Sequence, residues 1–537
     1  MDNISVIRNF MNEEKIRFLL VNSTNEFLVE YNTLEENSRY KLTNFSGSTG
    51  EALVTPDKIY LFVDGRYHIQ ADLEVDHNKI TVVKMENGSQ YMTELLKRIP
   101  ENETLGIFSK KNSQAKYEYL SSKRNVILLK SDPLDDFEQK ISAQNIHLDE
   151  SLTGLSTEEK FAKISHNLKE NEAICITDLD EVSYFFNLRN FSQNFSAKIR
   201  GKCLISKDNY ELFLQDKLSE LENILKSSEK QIYVDKSSIT AYDYSLIKNP
   251  EDLKENPIKL MKSKKNDTEL KTLQDAFART DKAVSAIRDY IENNENISEY
   301  DIAQQLEKEF KKQGAAGLSF NSIVAKDKNS ALAHYSKSSK NEIIKNGSLV
   351  LIDCGGYFEG GLATDITRVF VKGEPSILHK KIYTLVLKAF LRAYNYLDAK
   401  HNEILRFAQN DVNAEKFHQL NGYEIDSMVH TFFDEEDCEG FVFNHGLGHG
   451  IGINVHEYPP NLSQNEIAKT PILDGMCFSI EPGLYKQGAF GIRLENSCYF
   501  KDNKIHSFVK MNYEKKLINF DMLTEQELKW LEEFEVK

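Results

Sequence analysis

The 537-residue sequence predicts an α/β (α+β) protein in which two related α/β domains precede a larger third domain. Three observations predict it. Short apolar, strand-like runs alternate with helix starts marked by capping boxes. A pattern of strand, polar break and aromatic segment at the N-terminus recurs from Ala173 onward. The length also exceeds what one core usually supports, so two to four domains are expected.

Taken in order, Ile16 to Val21 reads as a strand, followed by a polar break and the apolar segment Phe27 to Tyr31. Ala52 to Thr55 and Ile59 to Val63 flank Pro56-Asp57 and predict a hairpin that ends at Asp64-Gly65-Arg66-Tyr67. The loop Gly47-Ser-Thr-Gly50 leads into a strand and not a helix N-terminus, so it is a turn and not a phosphate site. Periodicity lapses around Pro133 to Glu150, and Ser156-Thr-Glu-Glu159 then caps a helix with Phe161, Ile164 and Leu168 inward. Ala173 to Thr177 is again strand-like, and Asp180 to Leu188 again clusters aromatics. Asn249 to Lys265, rich in Pro, Lys and Glu, reads as a linker. Asn266-Asp-Thr-Glu269 caps a helix with Leu270, Leu273, Phe277, Val284, Ile287 and Ile291 at helical spacing. Residues 396–421 are polar and poorly patterned, as an insertion or mobile loop would be, and Thr524-Glu-Gln-Glu527 caps a last helix through Trp530 and Leu531. The expected domains are 1–143, 144–262 and 263–537.

Composition narrows the function. No apolar run approaches the ~18 residues of a membrane helix, and the start lacks the basic-then-apolar form of a signal peptide, so a soluble, cytoplasmic protein without a membrane partner is expected. Six cysteines are scattered without Cys-x-x-Cys spacing, which fits a reducing compartment. A net charge of −16, with no Lys/Arg cluster backed by aromatics, argues against nucleic acid as a partner.

The chemistry concentrates in the C-terminal half. Leu349 to Ile352 is an unbroken apolar run that ends at Asp353, and after four glycines an alternating strand begins at Asp365, with Asp365, Thr367 and Val369 on one face. A hairpin there would bring two carboxylates together, which burial tolerates when cations sit between them. Two more acids follow apolar strand residues: Glu481 after Phe478 and Ile480, and Glu495 beside Arg493 on one face. Of thirteen histidines, three crowd into Asn444-His-Gly-Leu-Gly-His-Gly-Ile-Gly-Ile-Asn-Val-His456. Four carboxylates and one imidazole would neutralise two divalent cations, and an oxygen-rich set favours Mn²⁺ over thiolate-bound zinc. Cys354 points away from the face of Asp353, and Cys477 lies roughly 13 Å along the strand from Glu481, so both read as packing. Two metals ~3.5–4 Å apart can hold a bridging hydroxide and polarise a carbonyl, which is hydrolysis.

These residues resemble the pita-bread metallopeptidases, and within them the three-domain Xaa-Pro aminopeptidase (aminopeptidase P) family. Leu-Ile-Asp-x-Gly, Thr-Asp-Ile-Thr-Arg, His-Gly-x-Gly-His-Gly-x-Gly, Val-His-Glu, Ile-Glu-Pro-Gly-x-Tyr and Gly-Ile-Arg-x-Glu-Asn stand in family order. The likeness extends to Gly317-Leu-Ser-Phe320, His334-Tyr335, Asp64-Gly-Arg-Tyr67, Leu179-Asp-Glu and Asn187-Leu-Arg189. It implies two creatinase-like N-terminal α/β domains followed by a pita-bread catalytic domain. It further implies that Asp353, Asp365, His449, Glu481 and Glu495 hold two divalent metal ions, usually Mn²⁺, with Asp365 and Glu495 bridging and Glu481 also acting as the base. His334, His445 and His456 would line the substrate site and assist proton transfer, and Arg493 with Tyr485 would support Asp353. Arg66 matches an arginine that contacts substrate across a homodimer in relatives; a surface arginine in a turn is the other reading. The spacing from Asp353 to Asp365 is one residue longer than the family form, which requires a bulge or a longer hairpin tip.

The expected function is therefore a dimetal aminopeptidase that hydrolyses the bond between an N-terminal residue and a following proline, through a metal-bridging hydroxide. The alternatives are a prolidase, which cuts only Xaa-Pro dipeptides, and a non-catalytic pita-bread module that binds proteins. Loss of ligand residues would mark that module, and all five are present.

Overall fold

The computed structural model describes residues 2–86, 89–135, 144–408, 420–502 and 504–534. Two compact units emerge: Met1–His147, Leu155–Ser192 and Lys198–Ile258 form one, and Leu148–Gly154, Gln193–Ala197 and Lys259–Lys537 form the other.

The first unit holds two mixed sheets. Its six-stranded sheet runs Ile80–Lys84, Ile59–Val63, Glu51–Val54, Phe18–Val21, Thr104–Phe108, Asn125–Leu129. Phe18–Val21 is apolar throughout because both faces are covered, Leu19 and Val21 by one hydrophobic cluster and Phe18 and Leu20 by another. The five-stranded sheet runs Tyr210–Leu214, Gly201–Ser206, Glu172–Ile176, Gln231–Val234, Pro250–Asp252. In each sheet the first strand of the repeat pairs antiparallel with a hairpin on one side and parallel with later strands on the other. The recurrence read from the sequence thus corresponds to a shared strand order, to which the first sheet adds Ile80–Lys84.

The second unit opens with the helix Asp267–Asn293, started by the Asn266/Glu269 capping box, and all six residues expected inward are buried. Its strands form an antiparallel three-stranded sheet (Ile323–Lys326, Leu349–Cys354, Ile366–Val371) and a five-stranded sheet centred on Gly448–Gly450, Cys477–Ile480 and Asn496–Lys501. A two-stranded ribbon pairs Gly483–Tyr485 with Gly491–Arg493. One core joins these strands to the helices Ile377–Ala408 and Gly422–Glu435, with Val386, Phe390 and Val429 among Leu351, Val369, Phe478 and Ile480.

Two expectations are corrected. The stretch 249–265 is not a bare linker: it contains the strand Pro250–Asp252 and the helix Pro257–Ser263. Pro257 suits a first helical position, and Asn256 caps it by accepting the Ile258 N–H at 3.1 Å. Of the segment 396–421 expected as a loop, residues 396–408 continue the helix Ile377–Ala408, because neither Gly nor Pro interrupts the chain there. Residues 409–419 lie outside the described residues.

The hairpin carries no bulge in its paired part, so the residues between Cys354 and Ile366 form its tip. The pairing register is unbroken up to Cys354 opposite Ile366, and beyond it Gly356–Tyr357 turns aside to pair with Gly317–Leu318. Gly355 must be glycine, since a Cβ there would lie 1.7 Å from the Thr364 carbonyl oxygen.

Candidate active site

The antiparallel register sets Asp353 opposite Thr367, so Asp353, Thr367 and Asp365 share one face of the hairpin. Onto this face come Glu481, just after the strand Cys477–Ile480, Glu495, between Gly491–Arg493 and Asn496–Lys501, and His449 in the strand Gly448–Gly450. His449 Nε2 lies 3.3 Å from Glu481 and 3.6 Å from Asp365. Donor atoms of Asp365, His449 and Glu495 all fall within 4.8 Å of one another. Glycine at 448 permits this approach: a Cβ would meet the Ser479 carbonyl oxygen at 2.0 Å.

Electrostatics identify what the group lacks. Asp353 Oδ1, Asp365 Oδ1 and Glu495 Oε1 are buried and have no hydrogen-bond partner among the described residues. Burial, then the neighbouring Glu495 and Asp353 carboxylates, pushes the Asp365 acid far above the carboxylate range, and burial with Glu481 does the same to Glu495. Burial raises Glu481 to about 7, against the pull of Arg493. Clustered carboxylates with unpartnered oxygens are costly alone and are satisfied by cations, so the donor set fits divalent metal ions. Cys354 and Cys477 are buried, and burial raises both thiols, which disfavours the thiolate.

The supporting residues explain how the donors are aimed. Because a carbonyl only accepts, the 3.1 Å contact of His449 Nδ1 with Gly450 O fixes the proton on Nδ1 and leaves the Nε2 lone pair facing the acids. Arg493 ion-pairs with Asp353, donates to Thr367 Oγ1 at 3.1 Å and to the Ala333 carbonyl at 3.2 Å, and reaches Tyr485 Oη at 2.8 Å. Tyr485 Oη lies 2.9 Å from His445 Nε2, and His445 Nδ1 donates to Gly446 O at 2.8 Å, so the ring is held at both nitrogens. Thr367 Oγ1 donates to Glu495 Oε2 at 2.9 Å. The His456 ring stands edge-on to His449 with centroids 4.3 Å apart, and His334 directly follows Ala333. The expected residues of the second unit, apart from His334, which adjoins through Ala333, are thus linked around one group of acids. Arg66 belongs to the first unit, where it forms a two-pronged pair with Asp64 and donates to Thr49 Oγ1 at 3.0 Å.

Three supporting residues were not singled out from sequence. Glu299 is fully buried and accepts four hydrogen bonds: from the Lys326 N–H at 2.7 Å, Asn329 Nδ2 at 2.9 Å, the Tyr335 hydroxyl at 2.7 Å and the Ser339 N–H at 2.9 Å. It clasps the loop that carries His334. Asp426, also buried, accepts the Leu447 N–H at 2.8 Å while the Leu447 carbonyl accepts the Glu481 N–H at 2.8 Å. Arg368 lies beneath Glu495 and donates to its carbonyl at 2.6 Å. Only Arg368 carried a signal, as the last residue of Thr-Asp-Ile-Thr-Arg on the face opposite Asp365.

Comparison with known proteins agrees with this geometry. Residues 271–502 match the model of metallopeptidase family M24, and residues 4–136 and 136–232 each match a creatinase/prolidase N-terminal domain. Xaa-Pro aminopeptidase 1 of Dictyostelium discoideum is 28% identical over 99% of this chain and 91% of its own length. A probable Xaa-Pro aminopeptidase P of Laccaria bicolor is 26% identical over 99% of this chain and 89% of its own. The crystal structure of the Caenorhabditis elegans X-prolyl aminopeptidase, described as a cytosolic enzyme with a di-nuclear active site, superposes with a TM-score of 0.86 at 20% identity. It covers 99% of this chain and 94% of that one. The fold is thus the expected pair of creatinase-type domains with a pita-bread catalytic domain, and residues 271–502 carry the domain of metallopeptidase family M24.

Proposed function

We propose that this chain is an Xaa-Pro aminopeptidase that removes the N-terminal residue from peptides with proline in second position, using two divalent metal ions, Mn²⁺ by preference. The observation that carries the reading is the convergence of Asp353, Asp365, His449, Glu481 and Glu495 with three carboxylate oxygens left without partners. The names of relatives that align along 99% of the chain support the substrate.

Bound there, two divalent ions supply a nucleophile at neutral pH and polarise the scissile carbonyl. Glu481, raised to about 7 in the metal-free chain, takes the proton of the attacking water on its carboxylate. Arg493 holds Asp353 in place, and through Tyr485 Oη fixes the His445 ring. His334, His445 and His456 line the substrate side and pack on the proline. The imide nitrogen of that bond carries no N–H, so recognition must come from shape and from the histidines, not from a donor at that position. Four carboxylates and one imidazole, with the thiols packed away, favour Mn²⁺. We also assign domains 1–143, 144–262 and 263–537, a cytoplasmic location and a homodimer in which Arg66 reaches the partner's substrate.

The deciding experiment is release of the first residue from an Xaa-Pro-Xaa tripeptide. Activity is expected to vanish with a chelator and return with Mn²⁺. Product unaffected by chelation overturns the mechanism, and cleavage of Xaa-Pro dipeptides alone makes the protein a prolidase.

A further inference from the structure

The geometry points to Glu457 as a positioning residue that sets the orientation of His456, with Lys262 and Lys265 as its anchors. This rests on the reading that His456 faces the substrate. The Glu457 side chain is 0% exposed and cannot touch a peptide, yet two lysines, themselves 4% and 2% exposed, converge on it. Lys262 Nζ lies 3.1 Å from Oε2, and Lys265 Nζ pairs with Oε1. Buried charges of this kind are expensive, and long lysine side chains are rarely spent on one unless the carboxylate must stay in one place.

What the carboxylate holds is the turn that ends at His456. Oε2 also accepts the Ile453 N–H at 3.1 Å. A Cβ on Gly452 would fall 2.1 Å from the same oxygen, so the backbone wraps the carboxylate directly. The outer side of the turn is tied by the Tyr357 hydroxyl to the Ile453 carbonyl at 3.0 Å and by the Ala363 N–H to the Gly452 carbonyl at 2.7 Å. Asn454 Nδ2 donates to the His456 carbonyl at 2.9 Å, and the imidazole emerges edge-on to His449. Displacing Glu457 therefore moves the peptide unit that carries His456.

The test is a double-mutant cycle on the metal-loaded full chain. K265M leaves one ammonium for one carboxylate and is expected to lower kcat/KM on an Xaa-Pro-Xaa tripeptide about tenfold, with K265R restoring most of it. H456A is expected to lower it further, and K265M/H456A to match H456A within about twofold, because the lysine acts only through the histidine. A second readout needs no activity. The His456 ring resonance, assigned by its loss in H456A, should shift in K265M and stay in place in K311M, an exposed-lysine control. Additive losses in the cycle, or an unmoved His456 resonance, overturn the proposal. If K265M does not fold, K262M, which leaves Lys265 on Glu457, carries the same measurements, and failure of both to fold makes the triad purely structural and also overturns it. A chain that cleaves no Xaa-Pro bond while the resonance still shifts defeats the substrate reading and leaves the positioning role standing.

Discussion

Asp365 and Glu495 bear the electrostatic cost of the site, because each is buried with one unpartnered oxygen among other acids. Asp365→Asn is expected to lose metal and nearly all activity while the metal-free protein gains about 1–3 kcal/mol near neutral pH, since the neutral amide spares the folded chain the proton uptake that the raised Asp365 carboxyl requires. Metal analysis and denaturant unfolding of the chelated protein check the two halves. Tyr485→Phe, which cuts the link between Arg493 and His445, should lower kcat/KM about 10–100-fold with metal content unchanged. Period-two alternation was enough to separate Asp365 and Thr367 from Arg368, and to aim Arg493 at a carboxylate. It could not reveal Glu299 or Asp426. Their partners, backbone and side-chain donors alike, lie 27 to 40 residues away for Glu299 and 21 and 38 for Asp426, and a chain with 83 acids offers no local mark of such pairings.

The loop from Lys326 to Ser339 illustrates the same point for a whole element. It has no regular pattern of its own beyond one short helical turn, and its shape comes from the four donors that Glu299 collects. Glu299→Gln turns an NH₂ toward two of those donors and should cost about 1–3 kcal/mol in denaturant unfolding. Because His334 and the Ala333 carbonyl sit on that loop, KM for the tripeptide should rise more than kcat falls, as steady-state kinetics would show. Helix starts were legible at the capping boxes of Ser156, Asn266 and Thr524, because that signal is local and reciprocal, whereas the box at Ser298, closed by Asp301 in place of a Glu or Gln, was not read. The Lys-rich stretch before Asn266 was misread for the opposite reason: Lys262 and Lys265 look solvated until Glu457, almost 200 residues later, is placed against them.

At the scale of the whole molecule, these acids make metal-free stability depend on pH. Glu481 keeps its proton in the folded chain up to about 7 against a usual 4.5, and burial among the other acids raises Asp365 and Glu495 well above the carboxylate range too. The folded state then binds more protons than the unfolded one, so stability is full below about 4.5 and falls as pH rises through 7. The thermal midpoint of the chelated protein should drop between pH 5 and 8. Mn²⁺ at a hundred times its pH 8 dissociation constant should restore about 2.7 kcal/mol at pH 8, and the same concentration should restore less at pH 5, where protons compete for the carboxylates. The two N-terminal sheets add a historical dimension, since a strand order shared down to which neighbours run parallel is the expected imprint of a gene segment copied in tandem. One sheet carries the additional edge strand Ile80–Lys84 and the other ends at the preceding position, so the shared order is that of the five remaining strands.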